Sequence, residues 1–133
     1  MSSFRRQLRQ FIQALADEAG LHRRADPPSR DAQSKAIQLL KQHLTPEQRE
    51  QYEKHDYFYV TGGNSRRLYR IRHGVQMNVE QLDQSGKRIR MLCFVPEGGL
   101  AVGDVMLAQK IALELYETEA LGIARKARDF YLR

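Results

Sequence analysis

Apolar residues recur at helical spacing towards both ends of the chain and at alternate positions in its middle. Phe4, Leu8, Phe11, Ile12, Leu15 and Ala19 fall three or four residues apart, the stripe of an amphipathic helix. Ser2 or Ser3 is placed to cap it and Gly20 to end it, and its other face carries Arg5, Arg6, Arg9 and Gln13. The polar segment from His22 to Asp31 contains Pro27 and Pro28, which forbid helix and favour extended chain, so it reads as a linker. This predicts residues 1–28 as helix plus proline-containing linker and residues 29–133 as a single α+β domain. Ala36, Ile37, Leu39, Leu40 and Leu44 predict a second helix from about Ser29 to Leu44. A third begins at Thr45-Pro46-Glu47-Gln48, with threonine as N-cap, proline in the first turn and glutamine at the capping-box position. It is short and acidic, and runs to about His55.

From Tyr57 to Val95 the period changes from helical to alternating. Gly62-Gly63-Asn64, His73-Gly74 and Gln84-Ser85-Gly86 are turn signals that divide the stretch into four short runs. Val75, Met77 and Val79 alternate with polar residues, and Ile89, Met91, Cys93 and Val95 alternate with Arg88, Arg90, Leu92 and Phe94. Period two marks half-buried strands, and the short turns predict an antiparallel meander of three or four strands. The register that sorts the residues best sets Val79 opposite Met91, Met77 opposite Cys93, Glu80 opposite Arg90, Ile71 opposite Met77 and Arg70 opposite Asn78. One face then holds Tyr69, Ile71, Met77, Val79, Met91 and Cys93, and the other holds Arg70, Arg72, Gln76, Asn78, Glu80 and Arg90. Leu92 and Phe94 interrupt the polar face.

Pro96-Glu97-Gly98-Gly99 ends the sheet. The longest helix is expected to open at Gly103-Asp104 with Asp104 as N-cap. Val105, Ala108, Ile111, Ala112 and Leu115, then Ala120, Leu121, Ile123, Ala124 and Ala127, give it a broad apolar face. Such a face suits a helix lying across the sheet or shared with the preceding helices. Gly122 is the expected place for a kink or a close approach.

Composition adds less than pattern. A chain of 133 residues, 41% hydrophobic and 29% charged, suits one domain. Its formal charge of +6 and pI near 9.7 favour an acidic partner such as nucleic acid or a membrane surface. Cys93 is the only cysteine, which excludes an internal disulfide or a multi-thiolate zinc site and fits a reducing compartment. The N-terminal MSSFRRQLRQF lacks the apolar run of a signal peptide, and no run of about 18 apolar residues follows, so a cytoplasmic location without a membrane partner is expected.

Candidate chemistry is sparse. Arg72-His73-Gly74, after an apolar strand and before Asn78, resembles the histidine phosphatase signature, in which the histidine accepts the phosphoryl group and the arginine holds it. That family needs a second histidine late in the chain, and His73 is the last here, so the reading is rejected. His22, His43, His55 and His73 lack metal-ligand spacing, and no cofactor is implied. Cys93 is expected to be a small buried hydrophobe. Gly62-Gly63 and Gly98-Gly99 fit no phosphate-loop pattern. Glu114, Glu117 and Glu119, interleaved with cations, read as a solvated helix face. No catalytic residue emerges, and a non-enzymatic protein is expected.

The arginines stand out. Residues 57–98 carry seven basic and three acidic side chains, against five of each in residues 99–133. Arg66, Arg67, Arg70, Arg72, Lys87, Arg88 and Arg90, with Tyr57, Phe58, Tyr59 and Tyr69 interleaved, have the composition that phosphate contact and base stacking require. The plainer interpretation pairs Arg90 with Glu80 and leaves the others as a solvated, edge-protecting face. The segments LTPEQREQYEKHDYF, GGNSRRLYRIRHG, NVEQLD and CFVPEGGLAVGDVMLAQKIALE resemble those of small bacterial and phage-type proteins without an assigned function, over residues 44–133. The resemblance implies a strand meander followed by a helix, and a bacterial source; it transfers no activity. The leading expectation is a protein contacting nucleic acid through an arginine-rich sheet face. The alternative is an adaptor or self-associating protein that uses its amphipathic helices, with Phe4, Phe11, Ile12, Phe130 and Tyr131 supplying apolar surface.

Overall fold

The computed structural model describes Arg6, residues 27–93 and residues 99–131, with side chains placed as far as Ala124 in the last helix. The helix expected over Phe4–Ala19, its linker before Pro27, and Phe94 and Val95 lie outside the described residues. So do the side chains of Ala127, Phe130 and Tyr131.

Helix α1, Arg30–His43, starts where the chain can stop being extended: Ser29 is its N-cap and accepts a hydrogen bond from the Ala32 amide. Helix α2, Pro46–His55, follows with the full capping box. The Gln48 amide donates to Thr45 Oγ1, and the Thr45 amide donates to Gln48 Oε1. Asp56 closes α2 in a left-handed conformation, and the chain turns directly into β1, Tyr57–Thr61. Strands β2 (Leu68–Arg72), β3 (Val79–Leu82) and β4 (Arg88–Leu92) complete a sheet of order β1-β2-β3-β4, antiparallel throughout. Helix α3, Val102–Tyr131, packs on that sheet, and α1 lies along α3. The fold is α+β, with α3 shared between the sheet and α1.

The inner sheet face buries Phe58, Val60, Tyr69, Ile71, Val79 and Leu92 against Met106, Leu107, Ala112 and Leu113 of α3. Full burial of each large apolar side chain contributes about 1.5–3 kcal/mol. Leu39, Leu40 and Leu44 extend this core from α1. Gly103 marks the crossing of the two helices, since a Cβ there would lie 2.3 Å from the Ala36 carbonyl oxygen. A polar pair joins α3 to the residue preceding β3: Asn78 and Gln109 exchange hydrogen bonds of 2.8 and 3.0 Å, and both are buried. Buried amides need such reciprocity, because an unmatched one costs about 1–3 kcal/mol.

The β1 edge is capped by side chains. Gln48 Nε2 donates to the Tyr59 carbonyl at 2.9 Å, and the Tyr59 amide donates to Gln51 Oε1 at 3.0 Å. Helix α2 thus occupies backbone groups that an edge strand would otherwise leave open for pairing.

Several expectations are corrected. Strand β3 begins at Val79, and Met77, at φ +50° and half exposed, belongs to the connection from β2. Ile71 therefore pairs with Val79, and Arg70 with Glu80. Between β3 and β4 the true partners are Val79–Leu92, Glu80–Met91 and Gln81–Arg90, one residue from the expected alignment. A single-residue slip exchanges the two faces. Leu92 consequently enters the core, Ile89 is 58% exposed, and Arg90 lies opposite Gln81 instead of Glu80. The register shift between Gln81 and Leu82 is the physical source of the error, because a bulge breaks strict alternation. Asp104 is the third residue of α3, inside its first turn, and is not the N-cap. Leu115 is exposed. The break in α3 falls at Tyr116 (φ −136°, ψ 41°) and not at Gly122, where a Cβ would meet nothing within 4 Å.

That break has a visible cause in the β1–β2 loop. The Gly63 amide donates to the Leu113 carbonyl at 3.0 Å, occupying an acceptor that a continuous helix would satisfy four residues on. Beside it Glu117, expected on a solvated face, is 1% exposed. Its carboxylate accepts from the amides of Asn64 and Ser65 (3.0 and 2.7 Å), from Ser65 Oγ (2.5 Å) and from Tyr69 Oη (2.6 Å). Burial pushes this carboxyl up, but the donors together hold it below the usual carboxylate range. Lys110 and Glu114 form the expected i,i+4 pair at 2.7 Å.

Candidate nucleic-acid interface

The outer sheet face carries charge because of the β2–β3 register. Arg70 and Glu80 are paired residues, so their side chains meet on one face, and Arg72 and Tyr57 follow on the same side. Arg70 Nε donates to Glu80 Oε1 at 3.0 Å and Nη2 donates to Oε2 at 3.1 Å, a two-point contact. Arg72 also donates to Glu80, and Arg88 Nη1 lies 3.9 Å from Oε2. Three guanidiniums therefore surround one carboxylate whose side chain is 3% exposed. Burial alone would raise the Glu80 carboxyl, but the hydrogen bonds and charges of Arg70 and Arg72 hold it below its ordinary value. The Arg70 guanidinium is held protonated by the same contact.

The three arginines differ in access. Arg70 is 17% exposed and serves as a structural counter-ion, whereas Arg72 and Arg88 are 47% and 55% exposed. Aromatic rings order this face. The Tyr57 ring lies 5.1 Å from the Arg70 guanidinium carbon and 5.5 Å from that of Arg72, within cation–π range. His55 stacks on Tyr57 with centroids 5.3 Å apart, and Tyr59 meets its edge at 5.6 Å. Phe58 and Tyr69, grouped by sequence with these rings, point into the core, as period two requires.

The sequence-predicted arginines thus form two groups. Arg70, Arg72 and Arg88 surround Glu80, while Arg66, Arg67 and Arg90 line an open cleft of about 680 Å³ at the end of the sheet. Lys87 sits in the exposed β3–β4 turn and joins neither group. Arg90 Nε donates to Gln81 Oε1 at 2.7 Å, so the proposed Arg90–Glu80 pair does not form. Sequence reasoning missed His55, which had no signal beyond its position two residues before Tyr57, and missed that Glu80 would gather several arginines.

Away from this face, Tyr52 Oη and His73 Nδ1 are 2.8 Å apart beside a shallow groove of about 390 Å³. Burial pushes the Tyr52 hydroxyl up to about 12, so it remains protonated and can donate to the imidazole. Among the described residues, no group of three or more His, Cys, Asp or Glu side chains could hold a metal ion. Cys93 is buried. No described helix is long and apolar enough to cross a membrane.

Comparison with protein-family models, with curated proteins and with solved structures gives no match. The chemistry of the face is therefore the basis for assigning a role.

Proposed function

We propose that this chain is a cytoplasmic, non-enzymatic binding protein whose outer sheet face contacts single-stranded nucleic acid. The observation that carries the reading is the three-to-one ratio of guanidiniums to carboxylate around Glu80, with Arg72 and Arg88 about half exposed. After Arg70 neutralises Glu80, two guanidiniums retain uncompensated charge beside the ring of Tyr57. Cations provide phosphate contact, and His55, Tyr57 and Tyr59 offer ring surfaces at which unpaired bases can stack. A flat sheet face suits a splayed strand, since the grooves of a duplex are usually entered by a helix or a narrow β-ribbon.

The test is binding of labelled single-stranded and duplex DNA and RNA to the full chain and to Arg72→Ala/Arg88→Ala. Arg70 stays intact because of its structural contact with Glu80. The expected result is preference for single strands and an affinity about tenfold lower in the double variant. Equal affinity in a folded double variant, or no binding at low salt, would overturn the proposal.

A further inference from the structure

The cleft at the end of the sheet has properties that a solvated turn does not need. Its lips are the β1–β2 loop and the β3–β4 turn, which a meander brings to the same end of the sheet. One lip carries Arg66 and Arg67, both exposed, and neither side chain forms an ion pair or hydrogen bond among the described residues. Arg66 adopts φ +64°, a conformation disfavoured for a side chain of its kind. The loop is held in that shape from beneath. The Gly62 amide donates to the Arg67 carbonyl at 2.8 Å, the Arg66 amide to the Gly62 carbonyl at 3.1 Å, and Glu117 binds the Asn64 and Ser65 amides.

The facing lip is equally fixed. Asp83 is the sole carboxylate lining the cleft among the described residues, and its Oδ1 is occupied by the Ser85 amide (2.9 Å), Ser85 Oγ (2.6 Å) and the Lys87 amide (3.0 Å). These three bonds tie Oδ1 into the turn. Arg90 adds a third guanidinium, oriented by Gln81. Leu68, Leu82 and Ile89 supply apolar wall, and Ile89 is 58% exposed. A volume of about 680 Å³ is in the range that holds a small molecule. Cations carried on a fixed backbone beside apolar wall suit a ligand with an anionic end and a flat, poorly hydrated ring.

We propose that this cleft holds one nucleotide of the bound strand, its phosphate at Arg66 and Arg67 and its base against Leu68 and Ile89. The choice of ligand rests on the nucleic-acid reading above; the site itself rests on the two fixed lips and the cations they display. The backbone that carries Arg66 and Arg67 is fixed before the ligand arrives, which confines the ordering cost of binding to their side chains.

The experiment is an amide chemical-shift titration of the isotope-labelled full chain with adenosine 5′-monophosphate, adenosine and inorganic phosphate, one at a time. It is repeated on Arg66→Ala/Arg67→Ala, whose spectrum also reports whether the variant is folded. The nucleotide is expected to shift the amides of residues 65–68, 81–84 and 89, and to bind at least about fivefold more tightly than either fragment. The double variant should lose these shifts and bind a single-stranded oligonucleotide about tenfold more weakly. Oligonucleotide binding without nucleotide shifts in the cleft overturns the inference and leaves the sheet-face reading standing. Nucleotide shifts without oligonucleotide binding overturn both the sheet-face reading and the placement of a strand nucleotide here, and leave the cleft a site for a free nucleotide. Equal binding of nucleotide and inorganic phosphate overturns base recognition.

Discussion

Arg70 on β2 and Glu80 on β3 are ladder partners, and their side chains form a two-point ion pair on the outer face of the sheet. The pair has two consequences. It fixes the β2–β3 register by charge as well as by hydrophobic pattern, and it removes Arg70 from the set of cations free to meet a ligand. Arg72 and Arg88 approach the same carboxylate and keep about half of their access to solvent.

Glu80→Gln should therefore destabilise the fold while leaving the face more positive. Removing one partner from a pair that is buried on one side only is expected to cost about 1–3 kcal/mol. The folded carboxyl lies below its ordinary value of 4.5, so its contribution is present above that value and is lost as pH falls through the folded value. Urea denaturation at pH 7 and near pH 3 checks this: the variant should be less stable at pH 7, with the difference shrinking in acid. Nucleic-acid affinity should hold or rise.

Glu117 and Gly63 join the β1–β2 loop to the broken helix. A Cβ on Gly63 would lie 1.9 Å from the Glu114 carbonyl oxygen, which is backbone and cannot turn aside. Gly63→Ala should cost more than about 2 kcal/mol. Glu117→Gln replaces an acceptor of four hydrogen bonds by an amide that must present its NH2 to donors, with an expected loss of about 2–4 kcal/mol. Thermal melts of both variants provide the measurement.

Gly122 offers the opposite case. It sits within α3 at φ outside the left-handed region, and a Cβ would meet open space. Gly122→Ala should stabilise by about 0.5–1 kcal/mol through helix propensity. A lower melting temperature than that of the parent would show that Gly122 has a role its surroundings do not reveal.

The contrast between these glycines shows what could be read from sequence. Capping at Thr45, the start of α1 near Ser29, the two faces of β2, and the apolar course of α1 and α3 follow from local chemistry and periodicity. Gly62-Gly63 announced a turn, but nothing local indicated that it would insert into a helix some 50 residues on, which is a tertiary event. Glu117 carried the same limitation: on a helix face with Glu114 and Glu119, a buried carboxylate has no sequence signature. The β4 faces were misassigned because the bulge at Gln81–Leu82 shifts the pairing by one residue, and alternation cannot report an insertion into its own period. Of the candidate interface, the arginines and Tyr57 and Tyr59 were legible by composition. Their division into an ion-paired cluster and a separate cleft depended on register.

Asp104 is 1% exposed, and among the described residues neither carboxylate oxygen has a hydrogen-bond partner. Burial pushes this carboxyl from 3.8 up to about 6. A raised value means that its favourable contribution is complete below about pH 4 and is lost as pH rises through 6. Asp104→Asn should thus stabilise the protein by about 1–2 kcal/mol at pH 7.5, after allowing for the amide's own unmet hydrogen bonds, and change little at pH 4. Denaturant midpoints at the two pH values check it.

The most direct test of the account is the salt dependence of single-stranded oligonucleotide binding. If Arg72 and Arg88 each meet a phosphate and Arg66 and Arg67 share one, the logarithm of affinity should fall against the logarithm of salt with a slope of about −2. Arg72→Ala/Arg88→Ala should reduce that slope by about 1 to 1.5 while the fold, followed by thermal melting, is retained. An unchanged slope in the folded variant, or no measurable binding at low salt, would contradict the assignment of the outer sheet face as a phosphate-contacting surface.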